Sequence, residues 1–157
     1  MQIGVGKKEE NTTLYLDGEC STIYKNLIKN SSEFINIKID TMSNICNTYV
    51  KKDLKIQFCK IDVEGSEKNV LLGFDFENYR PLVFLIESTV PGVGTPTQSS
   101  WEYILINNNY SFAYQYSINR FYVDNSYRFL KSKFSNIDKY IKIYKSLKEK
   151  SNNNKNK

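Results

Sequence analysis

Apolar positions along this chain of 157 residues change their spacing several times, and each spacing predicts an element. Residues 2–5 form a short apolar start that reads as the end of a strand. After a polar turn over 7–11, residues 12–16 alternate like a second strand. A turn at 17–20 leads into a mixed stretch of loop or short helix that runs to Asn30. Ile35, Ile37 and Ile39 alternate with polar partners and predict a third strand. Residues 41–50 predict a helix with Thr41 close to its start and with Met42, Ile45 and Val50 near one face. The centre is clearest, with a buried strand over 56–63, a helix over 66–72 directly after Gly65, and a second buried strand over 82–87. Near-continuous apolar strands separated by a short helix indicate a parallel sheet covered on both faces.

Pro91, Gly92, Gly94 and Pro96 make 91–99 a long irregular loop, followed by a helix over 100–107 with Trp101, Ile104 and Leu105 on one stripe. Residues 110–116 and 120–123 predict an antiparallel hairpin turning near 117–119. A last helix carries Ile137, Tyr140, Ile141, Tyr144 and Leu147 at helical spacing, a stripe expected to dock on the body. The expected fold class is therefore α/β, with parallel strands, a C-terminal antiparallel hairpin and a terminal helix. The expected organisation is a domain over 1–135, an amphipathic basic helix over 136–150, and a disordered, low-complexity tail over 151–157.

Composition narrows the function classes. Apolar residues at 40% and charged residues at 25% suit a globular domain, and the longest apolar run, Leu82 to Ile86, is far too short to span a bilayer. No basic-then-apolar start suggests a secretory signal, so the cytoplasm is the expected compartment. The formal net charge of +5 is carried entirely by residues 136–157, which leaves 1–135 neutral and argues against a nucleic-acid partner. With 19 Lys and 18 Asn but a single Ala, Ala113, the usage reads as base-composition bias, so the Asn-x-Ser/Thr triplets at Asn11, Asn30 and Asn109 carry little weight. Cys20, Cys46 and Cys59 are odd in number and widely spaced, which suits structural thiols. The chain has no histidine, so acid–base work falls to carboxylates, Lys, Tyr or Cys.

The carboxylates are gathered in the segment Lys60-Ile61-Asp62-Val63-Glu64-Gly65-Ser66-Glu67. Asp62 and Glu64 are two apart at the end of a predicted strand, so a period of two points them to the same side. The carboxyl ends of parallel strands are where open α/β sheets bind ligands. Gly65 permits the sharp turn into the helix, and Glu67 in its first turn complements the positive N-terminal end. Glu87 closes the next strand and belongs on the same rim. Strand-end carboxylates also serve as solubilising or capping groups, the plainer reading for Glu67. Three clustered acids suit a hard cation such as Mg²⁺, but nothing in the spacing demands one, and no metal is assigned.

These motifs resemble a known family. Lys60 to Glu67 followed by Val70-Leu71-x-Gly73 is similar to the "KIDVEGAE…VLxG" signature of FkbM-type methyltransferases. Ile37-Lys38-Ile39-Asp40 resembles the strand before that signature, and Arg80-Pro81-Leu82-Val83-Phe84-Leu85-Ile86-Glu87 resembles the "RP-x-V-x-x-IE" strand after it. Asn109-Tyr110 with Phe121-Tyr122-Val123 is similar to the closing hairpin, and Val5-Gly6-Lys7 through Asp17-Gly18 to a lead-in hairpin. The resemblance runs from about residue 1 to 124.

It implies a class I, Rossmann-like fold that uses S-adenosylmethionine to methylate a hydroxyl, often of a sugar or polyketide-like acceptor. Asp62 is then the residue nearest the reacting centre, in contact with cofactor or acceptor. Glu64 orients the acceptor or serves as base, and Glu87 shapes the pocket floor. One departure stands out. The strand, Gly-rich turn and ribose-binding acid that open such a domain are not found, since Gly4-Val5-Gly6 and Gly92-Val93-Gly94 both lack the required context. Met1 aligns just after the family's third strand, so the chain is expected to be a fragment with an incomplete sheet and an exposed edge, binding S-adenosylmethionine poorly or not at all and inactive alone. A missing N-terminal half on a separate chain is the corresponding partner. The alternative is a non-catalytic remnant or interaction module that pairs through that edge. Trp101 and Tyr116 are further candidates to line an acceptor pocket.

Overall fold

Seven strands divide between two sheets in the computed structural model, which describes residues 3–28, 33–51 and 53–155. Gln2, Asn30 and residues 156–157 of the expected tail lie outside the described residues. The elements in order are β1 (Ile3–Gly6), β2 (Glu10–Tyr15), β3 (Phe34–Thr41), α1 (Met42–Tyr49), β4 (Phe58–Ile61), α2 (Glu67–Leu72), β5 (Val83–Glu87), α3 (Glu102–Asn107), β6 (Tyr110–Tyr116), β7 (Asn119–Asp124) and α4 (Ile137–Lys155). The architecture is mixed α/β, as the pattern predicts.

The smaller sheet has the order β1-β3-β2, with β1 parallel and β2 antiparallel to β3. This corrects the expected lead-in hairpin, because β3 lies between the two strands that were to pair. Side-chain room explains it. A Cβ at Gly4 would lie 2.4 Å from Ile39 Cδ1, and one at Gly6 would lie 2.8 Å from Ile39 Cγ2, so the glycines of β1 accommodate the branched chain of β3. Gly4-Val5-Gly6 is thereby strand and not a ligand-binding turn.

The larger sheet has the order β4-β5-β7-β6, in which only β4 and β5 are parallel. The expectation of a parallel sheet covered on both faces holds for β5 but not for β4. That strand spans four residues at the sheet edge, with Phe58 50% exposed. Only Cys59 and Ile61 of β4 turn toward the core, because Phe58 and Lys60 alternate to the open side.

The core sits on the middle strands. Phe84, Ile86, Tyr122 and Val123 are fully buried, and the first three share one core cluster with Val70 and Leu71 of α2 and Ile104 and Leu105 of α3. Trp101 stands edge-on to Tyr122 at 5.8 Å, an arrangement favoured by ring quadrupoles. The Tyr110 hydroxyl donates to the Pro81 carbonyl at 2.9 Å, which satisfies a polar group inside that core. Arg80 is the polar tie: Nε donates to Asp124 Oδ2 at 2.9 Å, and its other nitrogens reach the carbonyls of Phe76 and Asn108. One side chain thus joins the end of β7, the segment after α2, and the end of α3. Thr41 caps α1 as its position predicts, its hydroxyl accepting from the Asn44 N–H at 3.1 Å.

At the C-terminal end, helical turns over Asn125–Asn136 precede α4. Phe134 packs on Tyr114 and Phe121 of the hairpin, and the Tyr114 hydroxyl donates to Asp138. Ile137 and Ile141 are half-buried, but Tyr140, Ile143, Tyr144 and Leu147 are exposed, so most of the stripe expected to dock on the body does not. The helix continues through five of the seven residues that composition marked as tail. Among the described residues no helix is long and apolar enough to cross a membrane.

Candidate functional site

The segment after β4 is built around an unusual turn. β4 stops at Ile61, so Asp62 and Glu64 leave the strand and the period-two argument for their common direction does not apply. The turn does the work instead. Glu64 and Gly65 have φ of 51° and 99°, two consecutive residues in left-handed backbone. For Glu64 that conformation costs on the order of 1–3 kcal/mol and persists only where neighbours enforce it.

Two side chains enforce it. Thr22 donates its hydroxyl to the Glu64 carbonyl at 2.8 Å, and Glu67 Oε1 accepts from the backbone N–H groups of Val63 and Gly65, each at 3.2 Å. Glu67 is buried, and burial raises its carboxyl pKa although the backbone donors pull the other way. It positions the turn and does not merely complement the helix end. Thr22 lies forty-two positions before Glu64, and nothing in the local pattern points to it. Gly65 suits its φ of 99°, and an added Cβ would also crowd Leu27 Cδ1 at 3.1 Å.

The acids converge. The parallel register sets Ile61 beside Ile86, so β4 and β5 end on one rim, and one carboxylate oxygen each from Asp62, Glu64 and Glu87 lie within 4.8 Å of one another. Two full charges at that separation repel by about 3 kcal/mol at an effective dielectric near 20. Glu87 is 5% exposed, and its pKa is pushed up to about 7, first by burial, then by its hydrogen bond with Asp62 and the charge of Glu64. Burial and the Asp62 and Glu67 charges also raise Glu64. Lys60 offsets part of this charge, with Nζ 2.7 Å from Asp62 Oδ2. Near neutrality Glu87 holds or releases a proton, chemistry that an acid–base group needs.

A cavity of about 600 Å³ opens beside this rim. Lys60, Asp62, Glu64, Ser66 and Thr22 form its polar side, and Ile3, Val5, Leu14, Ile37 and Ile39 of the smaller sheet form an apolar wall. Glu87 lies behind Asp62 and does not line it. The aromatic candidates fall elsewhere: Trp101 is buried in the core and Tyr116 is exposed on the hairpin, and neither borders the cavity. Cys59 and Cys46 are disfavoured as nucleophiles, because burial pushes Cys59 up to about 12 and raises Cys46 as well.

Comparison with curated proteins and with solved structures finds no match in either case. A family model described as "Methyltransferase FkbM domain" matches residues 1–142, a stretch that takes in both sheets, the turn from Asp62 to Gly65, and Glu87. The chain belongs to the FkbM methyltransferase family.

Proposed function

We propose that this chain carries the acceptor side of an O-methyltransferase, with a hydroxyl of a sugar or polyketide-like molecule as acceptor and S-adenosylmethionine as methyl donor. The observation that carries the reading is the meeting of Asp62, Glu64 and Glu87, the first two of which line a cavity with one polar and one apolar side. The parallel β4–β5 pair, continued by the antiparallel β7–β6 hairpin, supports a Rossmann-like sheet as its frame.

The residues present fit the methionine end of the donor. Its cationic groups suit a rim with three carboxylates and one ammonium, and Asp62, which borders the cavity, would hold that end. For the ribose no residue is assigned; Asp40, near the end of β3, accepts the Thr41 N–H at 2.7 Å and the Asn44 side chain at 2.8 Å, both through Oδ1. When bound, S-adenosylmethionine supplies a methyl group on a positively charged sulfur, whose bond to carbon breaks as an acceptor oxygen takes the methyl. Asp62 stands nearest the reacting centre, Glu64 orients the acceptor hydroxyl or removes its proton, and Glu87, outside the lining, acts through its hydrogen bond with Asp62. The latched turn fixes both carboxylates before ligand arrives, so alignment is built in.

In cells that make this protein, Asp62→Asn is expected to remove one O-methyl group from one product in a mass-spectrometric profile. An unchanged profile from a folded variant overturns the reading. A second reading, an interaction module, is favoured by one observation: β4 is an edge strand with Phe58 and Leu54 exposed beside it. In that case Phe58→Lys abolishes partner capture, whereas Asp62→Asn leaves it intact.

A further inference from the structure

The C-terminal helix is the element that the core explains least. Its first turns lie on the body: Ile137 and Ile141 are half-buried, and the Tyr114 hydroxyl of the hairpin donates to Asp138. From Lys142 to Leu147 every residue is exposed. Tyr140, Ile143, Tyr144 and Leu147 stand at i, i+3, i+4 and i+7, a stripe roughly 100° wide on one face of α4. These four side chains are 47% to 65% exposed, and a contiguous apolar face of this kind marks an interaction surface. Lysines border it. Lys139 sits four residues before Ile143, Lys145 four residues after Ile141, and Lys142 lies on the opposite face. None of the three has a carboxylate partner among the described residues. The net charge of the whole chain falls within 136–157, seven Lys against Asp138 and Glu149, and leaves 1–135 neutral.

We propose that α4 docks on the surface of an anionic lipid bilayer, with Tyr140, Ile143, Tyr144 and Leu147 against the acyl boundary and the lysines among the headgroups. Two features select this occupant together. The lysines call for negative charge, and the stripe calls for an apolar medium beside that charge. Nucleic acid would satisfy the lysines and leave the stripe in water. A second copy of the helix would cover the stripe but bring unpaired lysines together, since Asp138 is already engaged by Tyr114. An anionic bilayer meets both demands within one interface. Lys139 and Lys145, at the borders of the apolar arc, can lay their stems along it and keep their ammonium groups with the headgroups. Tyrosine suits the same depth, with an apolar ring and a wet hydroxyl. Among the described residues no helix is long and apolar enough to cross a membrane, so the contact is with its surface. The described residues that line the cavity include none from α4, so lipid binding stands or falls apart from methyl transfer.

The test floats the full chain with vesicles of phosphatidylcholine that contain about 30% phosphatidylserine, enough for a negative surface potential. Binding is expected at low salt, to weaken as salt rises, and to be at least about tenfold weaker on phosphatidylcholine alone. Lys139→Gln, Lys142→Gln and Lys145→Gln together are expected to weaken it on the order of a hundredfold. Ile143→Ser with Leu147→Ser is expected to weaken it at least about tenfold. All five side chains are exposed, so circular dichroism and thermal unfolding of both variants should match the parent. No flotation with anionic vesicles, or flotation that both folded variants retain at full strength, overturns the proposal. Loss in only one variant overturns it too. Loss in the lysine variant alone assigns those residues to a polyanion, which a DNA duplex binding with the same salt dependence would identify. Loss in the serine variant alone, together with self-association in sedimentation that the same variant abolishes, assigns the stripe to a second copy of this chain.

Discussion

The two sheets are made differently, and the cavity lies between them. In the larger sheet the middle strands β5 and β7 are closed on both sides by neighbours, Phe84, Ile86, Tyr122 and Val123 reach full burial, and Arg80 ties three elements together. In the smaller sheet only Gly6 and Ile39 are buried, and the remaining described strand residues are half-exposed or exposed. One sheet gains its stability from a core, the other from its hydrogen-bond ladder and the few apolar contacts around Ile39. The acids ride on the firm sheet, and the thin sheet supplies only an apolar wall. On the proposed reading, charge held by the better-buried sheet faces a half-exposed apolar wall.

The largest effect that would break this contrast is in the core. Phe84→Ala is expected to cost about 3–5 kcal/mol in chemical denaturation, because its ring packs on Phe74, Phe76 and Tyr110 with no exposure. Arg80→Ala comes close behind at about 3 kcal/mol, since it strands the buried Asp124 carboxylate that the guanidinium holds below its ordinary pKa range despite the burial that opposes this. If an Ile37→Ala substitution on the thin sheet cost as much as either, the contrast between the sheets would be wrong. The expected cost there is about 1 kcal/mol, given its partial exposure.

A sharper probe concerns pH. Glu87 is raised from 4.5 to about 7 in the folded chain, so the stability linked to its protonation is fully present below pH 4.5 and is lost as pH rises through about 7. Glu87→Gln should remove that decline and leave the variant on the order of 2 kcal/mol more stable than the parent at pH 8. Parallel stability curves for parent and variant across that window would contradict the arrangement. Smallest of all, Tyr144→Ser on α4 should change stability by less than about 0.5 kcal/mol, because that ring is exposed.

The sequence revealed most where a residue's role is local. Near-continuous apolar runs announced β5, the Trp101 stripe announced α3, and the alternation around Ile37 announced β3. It said least where long-range pairing decides. Nothing in the alternation of residues 3–15 says that β3 inserts between β1 and β2, because the room comes from Gly4 and Gly6 meeting Ile39 more than thirty positions away. The stripe on α4 looked like a docking face because periodicity reports amphipathicity and not what covers it. Asp62, Glu64 and Glu87 are brought together as expected, but through a turn and not a strand period. The residues that secure the turn, Thr22 and Glu67, show their part only once the backbone amides they serve are in view.

The most direct test is an amide NMR titration of the full chain with S-adenosylmethionine, which reads even weak binding residue by residue. The expected shifts gather at Val63, Glu64, Gly65, Thr22 and Glu87, and Asp62→Asn diminishes them. Shifts confined to the opposite end of the strands, or undiminished in the folded Asp62→Asn chain, would contradict the placement of the site on this rim.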